Sequence, residues 1–226
     1  MVELNQDSMI KHGVKDTMYI NDTHKIIYAH IPKCASNTCF SIIARNINQS
    51  VVSIQTKYGP HSKNEAFKRL DYFKFTFIRN PWDRIVSCYY DRVIKKREYD
   101  KDKNPWDPNA FVRMGLHSKI SFERFVEIIA NQDDENSDYH WRSLHSFITF
   151  NDKIITDFIG KVENIEHDWN ELCDKLNWKK RKINHENKSN KSIRKHSDYK
   201  SYYNSTTKKI IAKRFEKDID IFKYTY

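Results

Sequence analysis

Residues 25–47 read KIIYAHIPKCASNTCFSIIARNI, and their pattern decides the fold. The run KIIYAHI at 25–31 is mostly apolar, as strands buried on both faces of a parallel sheet are. Pro32 ends it, and beyond a short polar loop Phe40, Ile43, Ala44 and Ile47 recur at helical spacing. The order is strand, loop, helix. It returns at 73–94, FKFTFIRNPWDRIVSCYYDRVI. There FKFTFI is a strand, Asn80 can cap, Pro81 suits a first helical turn, and Trp82, Ile85, Val86, Tyr89, Tyr90 and Val93 form one apolar face. Further on, Ser121 opens a helix with Phe122, Phe125, Val126 and Ile129 inward. IITDFI at 154–159 is a strand, and Ile165, Trp169, Leu172 and Leu176 line the helix after it. Strands alternating with helices predict an α/β fold, a three-layer α/β/α sandwich around a central parallel sheet. Such sheets bind ligands beyond the carboxyl ends of their strands, which directs attention to the loops 32–38 and 79–82.

The chain has 226 residues, 38% of them hydrophobic and 14% aromatic, which excludes disorder as its main state. Its length suits one domain spanning 1–226, read as an N-terminal extension (1–24) and a core (25–226). Two charge-dense segments, 91–109 and 179–200, read as solvated loops. The 40 Lys and Arg against 30 Asp and Glu leave +10, so an anionic partner is expected. Cys34, Cys39, Cys88 and Cys173 lack a CxxC pairing and read as buried, reduced thiols, with no metal site among them. With 4 Gly in the whole chain, neither GxGxxG nor GxxxxGK[ST] occurs. No run approaches ~18 apolar residues, and MVELNQDSMIKHGVKD lacks a signal-peptide layout. The expectation is a cytoplasmic or otherwise soluble chain without a membrane span.

Loop 32–38 brings Lys33, the small polar side chains of Ser36, Asn37 and Thr38, and a helix N-terminus to one point. Backbone N–H groups at a helix start lack intrahelical partners and carry partial positive charge, so an anion suits them. The plainer reading is that Ser36 or Asn37 caps the helix. In the second loop Arg79 leaves a strand toward the same crevice, and its guanidinium fork suits a phosphate. A salt bridge to Asp83 is the structural alternative for Arg79 or Arg84, and is preferred for Arg84.

Lys33-Cys34-Ala35-Ser36-Asn37-Thr38 after an apolar strand resembles the 5′-phosphosulfate loop of carbohydrate sulfotransferases that use 3′-phosphoadenosine 5′-phosphosulfate (PAPS). FTFIRNPWDRIVSCYY is similar to their 3′-phosphate motif. DFIGKVENIEHDW at 157–169, NKS at 187–189 before Tyr202-Tyr203, and the closing FEKDIDIFKY extend the resemblance over roughly residues 25–226. It implies a P-loop-like nucleotide-binding fold, with Lys33, Cys34, Ala35, Ser36, Asn37 and Thr38 around the 5′-phosphosulfate and Arg79 and Ser87 on the 3′-phosphate. It also implies PAPS as donor, an acceptor hydroxyl on an oligo- or polysaccharide, and no metal. Lys33 would stabilise charge building on the bridging oxygen as the sulfonate departs.

The acceptor hydroxyl must lose a proton, and a positioned His or Glu is the usual base. His61 is preferred as the base over His140 and Glu65: it lies between the two motifs, where the resemblance implies a histidine in polysaccharide-modifying relatives, and it follows the turn residues Gly59-Pro60 and precedes a helical stripe of Phe67 and Leu70. His140, beside Trp141 and Arg142, suits gripping the acceptor. Two rival readings compete with this one. A nucleic-acid-binding protein would fit the charge and the interleaved Tyr and Lys/Arg of 194–209, but no recognition motif occurs. A phosphoryl-transfer enzyme on a related fold needs a Gly-rich loop and a magnesium carboxylate, and neither is found.

Overall fold

The computed structural model describes residues 17–57, 59, 61–94, 116, 120–135, 137–183 and 198–226. Pro60, most of the 91–109 segment, His185, NKS 187–189 and His196 lie outside the described residues. In chain order come β1 (Met18–Asn21), β2 (Ile26–Ala29), α1 (Ser36–Asn46), α2 (Val51–Lys57), α3 (Lys63–Lys68) and β3 (Phe73–Ile78). Next are α4 (Pro81–Tyr89), a π turn (Tyr90–Ile94), α5 (Phe122–Ala130), α6 (Leu144–Ile148) and the short hairpin β4 (Thr149–Phe150) and β5 (Lys153–Ile154). The chain then forms β6 (Phe158–Lys161), α7 (Ile165–Leu176), a 3-10 turn (Tyr199–Tyr202), α8 (Ser205–Arg214) and α9 (Glu216–Phe222).

The main sheet has the order β1-β2-β3-β6, with β2, β3 and β6 parallel and β1 antiparallel on the edge. Alternation along the strands sends side chains to two faces. Tyr28, Phe75 and Phe77 pack with Phe40 and Ile43 of α1 and Trp169 and Leu172 of α7. Ile27, Ala29 and Ile78 pack on the other side with Leu144 and Phe147 of α6 and Phe222 of α9. A third cluster joins α4, α5 and α8 through Val86, Phe125, Trp141 and Ile211. The structure is therefore mixed α/β, with helices against both faces of a mostly parallel central sheet. Among the described residues no helix is long and apolar enough to cross a membrane.

Several expectations hold in detail. Ser121 caps α5 by accepting from the Arg124 N–H, and Asn80 caps α4 by accepting from the Trp82 N–H, with Pro81 in the first turn. All four cysteines are free and buried. Others need correction. Met18–Asn21, placed in the extension, is a sheet strand: Met18 and Ile20 are buried, and the segment pairs with all of β2. The strand expected at 154–159 divides. Lys153–Ile154 pairs in the short hairpin, and the part paired in the main sheet begins at Phe158, beside Asp157, whose N–H donates to the Lys74 carbonyl and whose carboxylate accepts from the Lys74 N–H (both 2.7 Å). The Phe67 and Leu70 stripe is not a core face. Both side chains are exposed, and α3 ends at Lys68, before Leu70.

Candidate active site

The two loops meet at the carboxyl ends of β2 and β3. After Ile31 the backbone makes two left-handed steps, at Lys33 (φ 67°) and Ala35 (φ 57°), before α1 begins. Ser36 does not cap the helix. Its hydroxyl donates back to the Ile31 carbonyl (3.1 Å), the N-cap residue is Ala35, and no side chain caps α1. The first turn of α1 also holds no acidic residue, so its amides face the loop mouth without a carboxylate nearby in sequence. Asn37 is exposed and Thr38 buried.

The second loop is tied to the first by two arginines. Arg79 donates to the Lys33 carbonyl (3.2 Å), and Arg84 donates to Pro32 (3.1 Å) and Arg142 (2.6 Å) carbonyls. The salt bridge preferred for Arg84 belongs instead to Arg79, whose Nε lies 2.7 Å from Asp83. Arg84 is buried among carbonyls that consume its donors, so no carboxylate is needed there. Burial opposes the charge on Arg79, yet the Asp83 carboxylate beside it prevails and the guanidinium's pKa is raised. Ser87 stands half-buried four residues beyond Asp83, on the same face of α4. Burial pushes the Cys34 thiol up to about 12, against the pull of Arg84 and Arg79, so it stays protonated.

Lys33 points to Asp91 on the π turn, Nζ to Oδ2 3.1 Å. Burial pulls its ammonium below the ordinary lysine range, with Asp91 the first force in the opposite direction. His140 is near: Lys33 and Arg92 both act on its charge. Asp138 holds His140 by its backbone N–H (2.8 Å) and by Nδ1 (2.6 Å), while Arg92 reaches the other ring nitrogen, Nε2. Burial lowers the His140 pKa to about 4 despite Asp138, so the ring is neutral near pH 7. His30, at the end of β2, is pushed to about 3 by burial and then by His140.

His61 occupies a different part of the same sheet end. Its backbone bridges to Met18 (N–H to carbonyl 2.8 and 3.2 Å), and Met18 pairs with Ala29 of β2. The ring Nδ1 lies 3.3 Å from Glu65, whose other oxygen closes a capping box with Ser62. Hydrogen bonds from the Ser62 backbone and hydroxyl, then His61, hold the Glu65 carboxyl below the usual range. No hydrogen bond or ion pair among the described residues joins His61 to Lys33, Arg79 or His140. The structure thus gathers Lys33, Ser36, Arg79 and His140 around the loop mouth and leaves His61 on the flank.

Sequence reasoning missed His30, Asp91, Arg92 and Asp138. Asp91 and Arg92 were assigned to a solvated loop, although their place one turn beyond the apolar face of α4 was a usable signal. His30 abuts the loop in sequence and could have been found by that alone.

A sequence profile of the sulfotransferase family matches residues 16–225. Among similar curated proteins, human carbohydrate sulfotransferase 9 is 26% identical over 174 residues, 68% of this chain and 39% of its own length. Mouse carbohydrate sulfotransferase 14 is 22% identical over 69% of this chain and 45% of its own. Rat carbohydrate sulfotransferase 11 is 28% identical over 68% of this chain and 51% of its own. The chain spans about half the length of the curated relatives it matches, or somewhat less. No solved structure gives a significant match. Because the profile runs through β1, both loops and α9, the protein belongs to the sulfotransferase family.

Proposed function

We propose that this chain transfers a sulfonate group from PAPS to a hydroxyl of a carbohydrate acceptor, on a P-loop-like nucleotide-binding fold within a single domain. The observation that carries the reading is the loop Pro32–Thr38, which leads into α1 amides with no side-chain cap and whose Lys33 and Pro32 carbonyls are tethered by Arg79 and Arg84. Lys33, Cys34, Ala35, Ser36, Asn37 and Thr38 surround the 5′-phosphosulfate, through backbone N–H groups and the Lys33 ammonium. Arg79 and Ser87 take the 3′-phosphate, with Asp83 holding the guanidinium plane in place. As the S–O bond to the bridging oxygen breaks, the Lys33 ammonium stabilises the negative charge left on it.

The acceptor proton goes to His61. Glu65 lies 3.3 Å from Nδ1, which favours the tautomer with its lone pair on Nε2, and the His61 side chain is 35% exposed, so a bound acceptor can reach it. His140 is neutral and held at Nδ1 by Asp138 and at Nε2 by Arg92, so it grips an acceptor hydroxyl only when Arg92 gives up Nε2. Homology to carbohydrate sulfotransferases supports the sugar acceptor. The test is transfer of labelled sulfonate from PAPS to a panel of oligosaccharides, lipids and phenols. Transfer to sugars is expected, with His61→Ala cutting turnover by roughly 10²–10⁴ and His140→Ala raising the acceptor KM. No transfer together with steeply salt-dependent binding to generic DNA would replace this reading with the nucleic-acid one.

A further inference from the structure

One carboxylate stands beside Lys33 without a part in the chemistry above. α4 closes in a π turn, Tyr90–Ile94, where the Tyr90 N–H reaches both the Ser87 and Val86 carbonyls. A π turn re-aims the residues that follow it and is frequent at functional positions. Here it directs two consecutive residues into the cleft. Asp91 meets Lys33 at 3.1 Å, while Arg92 meets His140 and lies 3.8 Å from Asp91. The Lys33 and Asp91 side chains are only 19% and 18% exposed, so water screens their attraction far less than at an open surface.

We propose that Asp91 is a positioning residue, holding Lys33 as a fixed ammonium at the mouth of the nucleotide loop; this rests on the reading of Lys33 as the donor-binding cation. The groups facing Lys33 leave that task to no other carboxylate among the described residues. From α4 and the π turn come Cys88, Asp91 and Arg92; from the segment before α6 comes His140; Arg79 holds the Lys33 carbonyl. Arg92 repels an ammonium, and burial keeps the Cys88 thiol protonated by raising its pKa. His140 is neutral near pH 7. Without Asp91, burial and Arg92 act on the amine unopposed, and it sheds its proton at lower pH. A neutral amine lacks the positive charge that stabilises an oxyanion most strongly. A bound donor would bring its own negative charge to Lys33, so the donor-free chain shows the dependence most clearly.

The test is pulsed acetylation of the full, donor-free chain with acetic anhydride across a pH series, read at Lys33 by peptide mass spectrometry. Only the unprotonated amine reacts. Asp91→Asn should lower the Lys33 labelling midpoint by at least about one pH unit, and so label it about tenfold faster below that midpoint, because an adjacent opposite charge shifts a pKa by roughly 1–3 units. Exposed Lys175 on α7 serves as internal standard and should not change. Asp91→Glu should return the midpoint toward wild type, and Asp91→Ala should behave as Asp91→Asn. Melting curves identify a variant that does not fold, and the two neutral variants keep the test open if one fails. An unchanged Lys33 midpoint in a folded neutral variant, or an Asp91→Glu midpoint equal to that of Asp91→Asn, overturns the proposal. A separate arm adds 3′-phosphoadenosine 5′-phosphate to the wild type. Absence of Lys33 protection there counts against the donor reading, whereas the midpoint shift judges Asp91.

Discussion

Lys33 and Ala35 take left-handed backbone conformations that cost non-glycine residues on the order of 1–3 kcal/mol each. They persist because their neighbours are held from three sides: Ser36 bonds back to Ile31, Arg84 grips Pro32, and Arg79 grips Lys33. Lys33→Ala keeps these backbone bonds and removes the ammonium together with its pairing to Asp91. Turnover should fall about 10²–10³-fold, with a much smaller loss of nucleotide affinity, because the ammonium acts most strongly once charge reaches the bridging oxygen. If the variant keeps full turnover and merely needs more PAPS, Lys33 is a binding group alone. His140 makes a separate prediction. Its folded pKa of about 4 lies below the ordinary 6.5, so the unfolded chain binds the extra proton between those values. Stability is therefore fully present above pH 6.5 and is lost as pH falls toward 4. Between pH 7 and 5 the loss from this ring is on the order of 2 kcal/mol. Urea unfolding at the two pH values reads it, and His140→Gln should flatten the dependence; an equal slope in the variant would refute this account.

The elements carry constraints of their own. β6 passes so close to β3 that a Cβ at Gly160 would stand 2.4 Å from the Phe77 ring. Phe77 cannot give way readily, being fully buried and stacked on Trp169 at 5.3 Å between centroids. Gly160→Ala should therefore cost about 1–3 kcal/mol, as overpacking does, measured as a lower urea midpoint. Because β6 pairs along β3, which leads into the site, the variant should also raise the KM for the donor; an unchanged midpoint would show that β6 shifts freely. α4 works as a strut between the loops. Its apolar side packs on α5 and α8, while Arg84, on its other side, links Pro32, Arg142 and Tyr139 through their carbonyls.

Over the full chain, the excess of ten positive charges favours any anion, so specificity must come from placed groups rather than net charge. The bisphosphate nucleotide offers the discriminating test. A ligand at a hundred times its Kd stabilises the folded state by about 2.7 kcal/mol. In a chain of this length that raises the melting temperature by roughly 5–10 °C. AMP lacks the 3′-phosphate and with it the contacts proposed for Arg79 and Ser87, so it should bind at least about tenfold more weakly, since a charge-assisted hydrogen bond contributes roughly 1.5–3 kcal/mol. Equal melting shifts with both nucleotides would contradict the assignment of the second loop.

The parts legible from sequence were those encoded locally. Periodicity located β2, α1, β3, α4, α5 and α7, and cap chemistry at Asn80 and Ser121 marked where two helices begin. Strand–loop–helix order also pointed to the loop containing Lys33 and to Arg79, because in a parallel sheet that order alone aims both loops at one end. Local pattern could not show that Met18–Asn21 closes the sheet edge, since four residues between polar stretches carry too little periodicity to separate strand from loop. Nor could it show that Arg79 rather than Arg84 takes Asp83, or that Asp91 and Arg92 turn inward on Lys33 and His140. The Asp91 and Arg92 pairings join segments distant in the chain, and Asp83 is left to its neighbour Arg79 because the distant carbonyls of Pro32 and Arg142 take Arg84. They follow from where packing places α4 and its π turn against the loop, and charged side chains choose partners by proximity and shielding from water, which only the assembled tertiary structure sets.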